Sequence, residues 1–503
     1  MLFNSLVFIF GFMPIALLGY FICGRGGRRV AGVWLVLASL VFYTWWRPAF
    51  LPVLLISIAF NYSASLLIGR AAARPGLQAW LLAGAIAADL AALAYYKYLF
   101  WLFGLLRLGT GIDVGFAAVA LPLGISFFTF TQIGYLIDVK QGVAKERGFL
   151  NFVLFVTFFP HLIAGPILHN REMMPQFADP KTYRFSAENL TVGMAIFVIG
   201  LLKKCLLADP TSLVVAPGFA HAATLPASGA WHVALSYSLQ LYFDFSGYSD
   251  MAIGLARMFN IRFPLNFNSP YKASSIVEYW QHWHMTLTRY LNLYLYNPIA
   301  LNITRWRAEK GLGVGKAAVG TPGGFAAMVA APTLITMGIA GIWHGAGLQF
   351  LIFGLLHGLY LTVAHAWRVF GGKRTQPDTL AIHVGKVALT YACVLVGSIF
   401  FRAPDAMAAV NLIAGMIGLH GAGQGVALGD VAWIAGLYAI VWFLPNTQQI
   451  MTDYQPALGK WAPGPLPWLR WRMDARWAVV FGVGLLAGLL SIGGSGEFLY
   501  FQF

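Results

Sequence analysis

The sequence predicts an all-α protein that crosses a membrane many times, and three observations carry that reading. Of its 503 residues, 59% are hydrophobic and only 10% are charged, against roughly a quarter charged in a typical soluble domain. The apolar residues fall in runs of about 20, the length a helix needs to span a bilayer. Lysine and arginine gather in short clusters between those runs instead of on one face. The net charge of +15 therefore follows the positive-inside rule and does not describe a nucleic-acid surface.

The first run, Met1–Cys23, lacks the basic leader and small-residue cleavage site of a signal peptide and is expected to be a retained helix. Further runs lie at 30–46, 49–69, 77–103, 117–137, 149–168 and 190–208, then at 229–256, 327–345, 348–370, 381–401, 405–419, 430–444 and 477–492. Glycine and proline interrupt pieces such as Phe159–Ile167, which read as re-entrant or broken, so about ten to twelve true spans are expected. Arg25, Arg28 and Arg29 after the first run, and Arg70 and Arg74 after the third, belong on the cytoplasmic side, which puts the N-terminus outside it. The same rule assigns Lys140, Lys145 and Arg147, and then Arg305, Arg307, Lys310 and Lys316, to cytoplasmic loops. The Gly/Pro-rich stretches 309–324 and 455–469 are neither long nor polar enough to separate domains. A single membrane domain over 1–503 is the expectation, without an internal repeat. Cys23, Cys205 and Cys393 lie far apart in apolar stretches and read as packing residues.

Ionisable groups inside such runs are costly unless paired or functional, so they form the shortlist for chemistry. His344 stands in Gly341-Ile-Trp-His-Gly-Ala-Gly347, with glycines on both sides and apolar surroundings. An imidazole suits general-base work near neutrality, and the glycines would let a substrate come close. The alternative is a packing histidine whose glycines serve close helix contact, and the residues alone leave the two readings open. The aromatic stretch Glu278-Tyr-Trp-Gln-His-Trp-His-Met-Thr-Leu-Thr-Arg-Tyr290 is expected to be one helix, with Glu278 and His282 on one face. His284 then shares its side with Trp280 and Thr288 and is the better candidate for a substrate contact. Diverging positions and the lack of a third ligand argue against a metal. In Gln240–Asp250, Asp244 and Ser246 are expected to be buried and paired, as support for helices more than as chemistry. Asp89, His161, His357 and His365 read as lone packing residues.

Taken together, the motifs resemble the membrane-bound O-acyltransferases, in the branch of bacterial alginate and cellulose O-acetyltransferases that also holds the teichoic-acid D-alanyl transferases. The carriers are Leu121-Pro-Leu-Gly-Ile-Ser-Phe-Phe-Thr-Phe, Ala164-Gly-Pro-Ile with Pro175-Gln-Phe, Tyr242-Phe-Asp-Phe-Ser-Gly-Tyr-Ser-Asp, Phe263-Pro-Leu-Asn-Phe, Glu278-Tyr-Trp through Trp283-His-Met-Thr-Leu, and Gly341-Ile-Trp-His-Gly. The resemblance covers nearly the whole chain. It implies a ring of spanning helices around a central funnel, with shorter re-entrant and amphipathic helices. It also implies that His344 is catalytic and His284 a second functional histidine, with Trp343, Gly345, Trp280, Trp283, Asp244, Ser246 and Glu278 lining or supporting the tunnel. The sequence departs from the family pattern at Gln281 and His282, commonly two arginines, and at Asn292 and Leu293, commonly an Arg-Asp pair. The closing Gly496–Phe503 looks like a protease-tag remnant but is read as native, because family members often end in similar aromatic runs.

The function this implies is transfer of an acyl group, acetyl above all, from a cytoplasmic thioester such as acetyl-CoA to a hydroxyl of an exported polysaccharide or of a periplasmic partner transferase. No cofactor is expected to be held tightly, and no metal. Membrane lipids, the acyl donor, a periplasmic acetyltransferase and a polysaccharide synthesis and export complex are the expected partners, in a bacterial inner membrane and with no nucleic acid. D-alanyl transfer to teichoic acid is the rival within the enzyme class. A lipid or polysaccharide transporter is the rival outside it, although its signature is embedded acids and repeated broken helices, and the sequence shows few such acids and no repeat.

Overall fold

Every backbone amide placed in hydrocarbon must find its partner inside the chain, and helices meet that demand segment by segment. The computed structural model is accordingly helical, and it describes residues 1–110, 119–145, 147–372, 377–493 and 498–499. Among these residues there is no β-strand, only an isolated bridge between Pro264 and Leu458. The helices are α1 (Val7–Arg25), α2 (Arg28–Thr44), α3 (Pro48–Ala73), α4 (Pro75–Lys97), α5 (Leu99–Thr110), α6 (Ile125–Lys140), α7 (Phe149–Thr157), α8 (Phe159–Leu162), α9 (Asn170–Ala178), α10 (Ala187–Ala220) and α11 (Ala227–Met258). Then come α12 (Ile276–His282), α13 (Met285–Leu291), α14 (Asn297–Glu309), α15 (Pro322–His344), α16 (Leu348–Phe370), α17 (Leu380–Arg402), α18 (Ala406–Met416), α19 (Leu428–Phe443) and α20 (Ala475–Leu490).

Seven of these, α1, α3, α4, α10, α15, α16 and α17, are long and apolar enough to cross a membrane. That is fewer than the ten to twelve expected from apolar runs of about 20, because several runs are not single helices. The run 77–103 divides between α4 and α5. The run 149–168 breaks where Phe158 leaves helical geometry at ψ 109°, and α2, α6, α19 and α20 stop at 16 or 17 residues. The start of the run 117–137 and most of the closing 496–503 lie outside the described residues. Helix starts follow local chemistry: Ser186, Thr379, Asp405 and Asp474 each accept a hydrogen bond from a backbone N–H of the first turn, the capping role those side chains favour.

The chain forms two compact units, each assembled from separated stretches of sequence. The first comprises Met1–Leu206, Phe245–Leu265 and Thr447–Gln502. Within it α10 and α11 approach through reciprocal glycines: a Cβ on Gly193 would stand 2.5 Å from the Gly254 carbonyl oxygen, and one on Gly200 would stand 2.5 Å from that of Gly247. At that spacing only glycine fits, which is how helices in lipid gain packing contact without a hydrophobic driving force. Beside this crossing Lys203 Nζ lies 2.7 Å from Asp250 Oδ2, and Thr447 donates to the same oxygen at 2.6 Å. The expectation for the chain's end can be followed at two residues: Phe498 and Leu499 are buried, with the Phe498 ring edge-on to Tyr248 at 4.6 Å and under Lys204 Nζ at 4.6 Å.

The second unit comprises Leu207–Asp244 and Asn266–Asn446 and holds every candidate site residue except Ser246. Its frame is an aromatic stack in which the Trp283 indole lies nearly parallel to Tyr279 (5.7 Å, 14°) and Tyr271 (6.2 Å, 8°). Beside the stack Tyr271 donates to the Ser238 carbonyl at 2.7 Å, and the Tyr391 and Tyr438 hydroxyls meet each other and Ser238.

The crossing of α10 and α11 generates one expectation. Gly254→Ala places a methyl group 2.6 Å from the Gly193 carbonyl oxygen, an overpacking worth about 1–3 kcal/mol. Thermal unfolding in detergent should show a lower midpoint for this variant. Gly84→Ala in α4, where nothing lies within 4 Å of the new carbon, should hold or raise it, and equal midpoints would contradict the packing argument.

Candidate active site

His344 is the last residue of α15; the next residue, Gly345, is fully extended at φ −164°, ψ 159°. The imidazole is 8% exposed. Three aromatic rings enclose it: Trp343 at 4.8 Å, Phe401 of α17 at 5.0 Å and Phe353 of α16 at 5.9 Å between centroids. The glycines around it do not leave open space, as the sequence suggested they would. A Cβ on Gly341 would lie 2.3 Å from the Phe350 carbonyl oxygen, one on Gly345 2.1 Å from the Phe350 ring, and one on Gly354 2.2 Å from the Met337 carbonyl oxygen. They let α15 and α16 cross almost backbone to backbone, and the helix-packing alternative describes them correctly.

His284 is not on a continuous helix. Helix α12 stops at His282, Trp283 is extended (φ −104°, ψ 128°), His284 is left-handed (φ 43°, ψ 51°), and α13 begins at Met285. The cause is a short pairing with Asn266–Asn268: Asn268 N–H donates to the His282 carbonyl and Met285 N–H to that of Asn266, both at 2.9 Å. A left-handed non-glycine residue costs roughly 1–2 kcal/mol, and such strain collects at functional positions. His284 is 1% exposed, and its Nδ1 lies 2.9 Å from Asn266 Oδ1, which also accepts from the Thr286 hydroxyl at 2.9 Å. An amide oxygen can only accept, so Nδ1 carries the proton and Nε2 is the basic nitrogen. Burial pulls this imidazole down to about 3, so it is neutral at working pH. It is not one of the residues lining the cavity described next.

The other expected residues divide by location. Trp280 lines a cavity of about 260 Å3 whose walls are Val277–Tyr296 on one side and α15 and α16 on the other. Trp343 and Trp283 are buried in ring packing. Glu278 is a capping residue: its Oε2 accepts from Ser274 N–H and Oγ–H at 2.8 Å each, while Ser275 Oγ accepts from the Glu278 N–H at 3.2 Å. Asp244 and Ser246 are both buried, but Ser246 Oγ has no hydrogen-bond partner among the described residues.

The structure adds residues that the sequence reading passed over. Asn266 lay within a quoted motif, and a lone amide in an apolar stretch was the available signal. Thr288, Asn292, Thr333, Thr336 and His365 line the cavity with Trp280, and so does Gln281. Gln281 and Asn292 are two of the positions where the chain departs from the family pattern. His357, set aside as a packing residue, is fully buried between Phe353 at 4.8 Å and Trp280 at 5.2 Å. Through Phe353 it joins the rings around His344 to the cavity wall. Thr333, Thr336 and Met337 fall on the same face of α15 as His344, about two to three turns earlier.

Multiple apolar helices, one of them ending on a buried histidine and bordering a cavity whose wall carries threonine hydroxyls, side-chain amides and a second histidine, define a multi-pass membrane protein. Comparison with known proteins gives the family. The profile of the membrane-bound O-acyltransferase family matches residues 136–311. The peptidoglycan O-acetyltransferase of Helicobacter pylori is 39% identical over 452 residues, 84% of this chain and 80% of that protein. The Probable alginate O-acetylase AlgI of Pseudomonas aeruginosa is 36% identical over 424 residues, 83% of this chain and 75% of that protein. The teichoic acid D-alanyltransferase of Bacillus subtilis is 28% identical over 284 residues, 56% of this chain and 68% of that protein. The chain belongs to the membrane-bound O-acyltransferase family and is an O-acyltransferase.

Two outcomes follow from this geometry. Asn266→Leu removes the acceptor that orients His284 and should lower acyl transfer on the order of 100-fold, the scale of a small misplacement at a reacting centre; activity within twofold of the parent would deny His284 an oriented role. Gly341→Ala forces α15 from α16 against the Phe350 carbonyl and should lower both the unfolding midpoint, by the equivalent of about 1–3 kcal/mol, and turnover.

Proposed function

We propose that this protein transfers an acetyl group from a cytoplasmic thioester, such as acetyl-CoA, to a hydroxyl on an exported polysaccharide or on a periplasmic partner transferase. The observation that carries the reading is the position of His344, at the end of a helix face that borders a cavity carrying hydroxyl and amide groups. The relatives with broad coverage are named for O-acetylation of peptidoglycan and alginate. D-alanyl transfer has weaker support, since the relative bearing that name matches little more than half of the chain.

In this mechanism the acceptor hydroxyl attacks the thioester carbonyl while His344 takes its proton. The carbon–sulfur bond then breaks, and the proton passes to the departing thiolate, leaving an ester and a free thiol. A thiol has an ordinary pKa of about 8.5 and leaves readily, so activation of the hydroxyl is the larger demand. His284, neutral and fixed by Asn266, orients the donor or passes a proton. The basic residues Arg305, Arg307, Lys310 and Lys316 precede α15, and the positive-inside rule puts them on the cytoplasmic side. On that reading the N-terminus is extracytoplasmic, the membrane is the bacterial inner membrane, and the donor enters from the start of α15. A periplasmic transferase and a polysaccharide synthesis and export complex complete the route.

The test is acetyl transfer by membrane vesicles given labelled acetyl-CoA. His344→Ala and His344→Gln should each lose about 10²- to 10⁴-fold, the range for a general base, at unchanged protein level. Full acylation by His344→Ala would overturn the assignment.

A further inference from the structure

Asp89, which the sequence presents as a lone packing residue, stands near the middle of the membrane-spanning helix α4 and is 6% exposed. Asn61, near the middle of α3, donates from Nδ2 to Asp89 Oδ1 at 2.9 Å. The same Nδ2 also donates to the Ser57 carbonyl at 3.1 Å, and Gln132 of α6 donates from Nε2 to the Ser57 hydroxyl at 2.8 Å. Ser57 thus ties two amides, each 0% exposed, into one cluster across three helices. Their nitrogens are bonded and their oxygens are not. Asp89 Oδ2, Asn61 Oδ1 and Gln132 Oε1 are all buried without a hydrogen-bond partner among the described residues. Nor does any lysine, arginine or histidine among those residues pair with Asp89. The titratable groups nearest along these helices are engaged elsewhere: Tyr62 donates to the Arg147 carbonyl at 3.0 Å, Lys97 lies 6.0 Å from the centre of the Tyr98 ring, and Asp138 meets His169 at 3.2 Å and Asn170 at 2.5 Å. Asp250 shows the contrast, since its buried carboxylate has Lys203 at 2.7 Å.

Buried polar atoms are almost always paired, so three acceptor oxygens in one cluster call for a hydrogen or a cation. A divalent ion takes about six or more oxygens, which one carboxylate and two amides do not provide. A bare carboxylate at this depth is costly, and a group so placed neutralises instead. One proton closes the count. On Asp89 Oδ2 it cancels the charge and makes that oxygen a donor to one amide oxygen, while the hydrogen of the Ser57 hydroxyl serves the other. We propose that Asp89, Asn61 and Gln132 form a proton-binding site in the middle of the membrane, in which Asp89 is held as the uncharged carboxylic acid at neutral pH. The site is independent of the acetyl-transfer reading above. With it filled, the packed helices α3, α4 and α6 place no net charge at the depth of Asp89.

The experiment is infrared spectroscopy of the purified full-length protein in lipid at neutral pH, with its aspartates carrying heavy carbon in the side-chain carboxyl. An aspartic carboxyl with the ordinary pKa of about 3.9 favours carboxylate about a thousandfold there, so a carbonyl band from a protonated, labelled aspartate singles out an unusual one. The parent should show this band, and Asp89→Asn should lose it. The amide of that variant offers an N–H where the acid offers an O–H, so the cluster keeps its donor. Asp89→Glu keeps an acid but not the isotope, and should return the band to the frequency of an unlabelled carboxyl. A parent spectrum without the band, or a band that survives both substitutions unchanged, would overturn the proposal. So would a band that appears only when sodium is withdrawn at constant pH, since that gives the three oxygens to a metal cation.

Discussion

The crossing of α15 and α16 is the contact on which the site depends. Gly341 and Gly354 allow the two backbones to approach so closely that any side chain would strike a carbonyl oxygen of the facing helix. That approach brings Phe353 of α16 against the His344 ring, with Phe401 of α17 closing the third side. It also makes α15 and α16 together one wall of the cavity. In lipid, where apolar surfaces gain nothing from meeting each other, small residues are the means of fixing helices at a definite distance. The close approach of its neighbours' backbones sets where the histidine sits.

Two imidazoles in this unit are set by different physics. His344 ends a helix and sits among aromatic rings, whereas His284 has a tautomer fixed by Asn266 and a strained backbone fixed by the pairing of Asn266–Asn268 with His282–Met285. An amide oxygen that also receives the Thr286 hydroxyl cannot rotate freely, so the His284 ring keeps one orientation. This is the rigid support a reacting group needs, since orientation within a fraction of an ångström governs rate.

The helical, membrane-spanning character of the chain was plain in the sequence because length and apolarity of runs are local properties. The interruptions at Tyr98 and Phe158 were harder to see, since a run of apolar residues continues through both. The break at Trp283–His284 was invisible for another reason: Glu278–Tyr290 has good helical residues, and what stops the helix is its backbone pairing with the irregular segment Asn266–Asn268 earlier in the chain. The break turns His284 away from the side it would share with Trp280 and Thr288 on a continuous helix. Trp280 and Thr288 still reach the same cavity, although His284 does not. Glycines beside His344 were legible as unusual but not as filled or empty, because that depends on Phe350, which only the fold brings there. His357 and His365 carried no local mark that set them apart from packing residues.

The first unit draws on both the early and the late parts of the chain, Met1–Leu206 and Thr447–Gln502, with nearly all of the second unit made between them. Near its two ends Phe3 stacks on Tyr248 at 4.9 Å, and Phe498 meets the same ring from another side. Because a nascent chain emerges from its N-terminus onward, that aromatic cluster stays incomplete until translation has delivered the residues after the second unit. Assembly of this half is therefore a late event, and the helices that wait for it must be tolerated by the bilayer in the meantime.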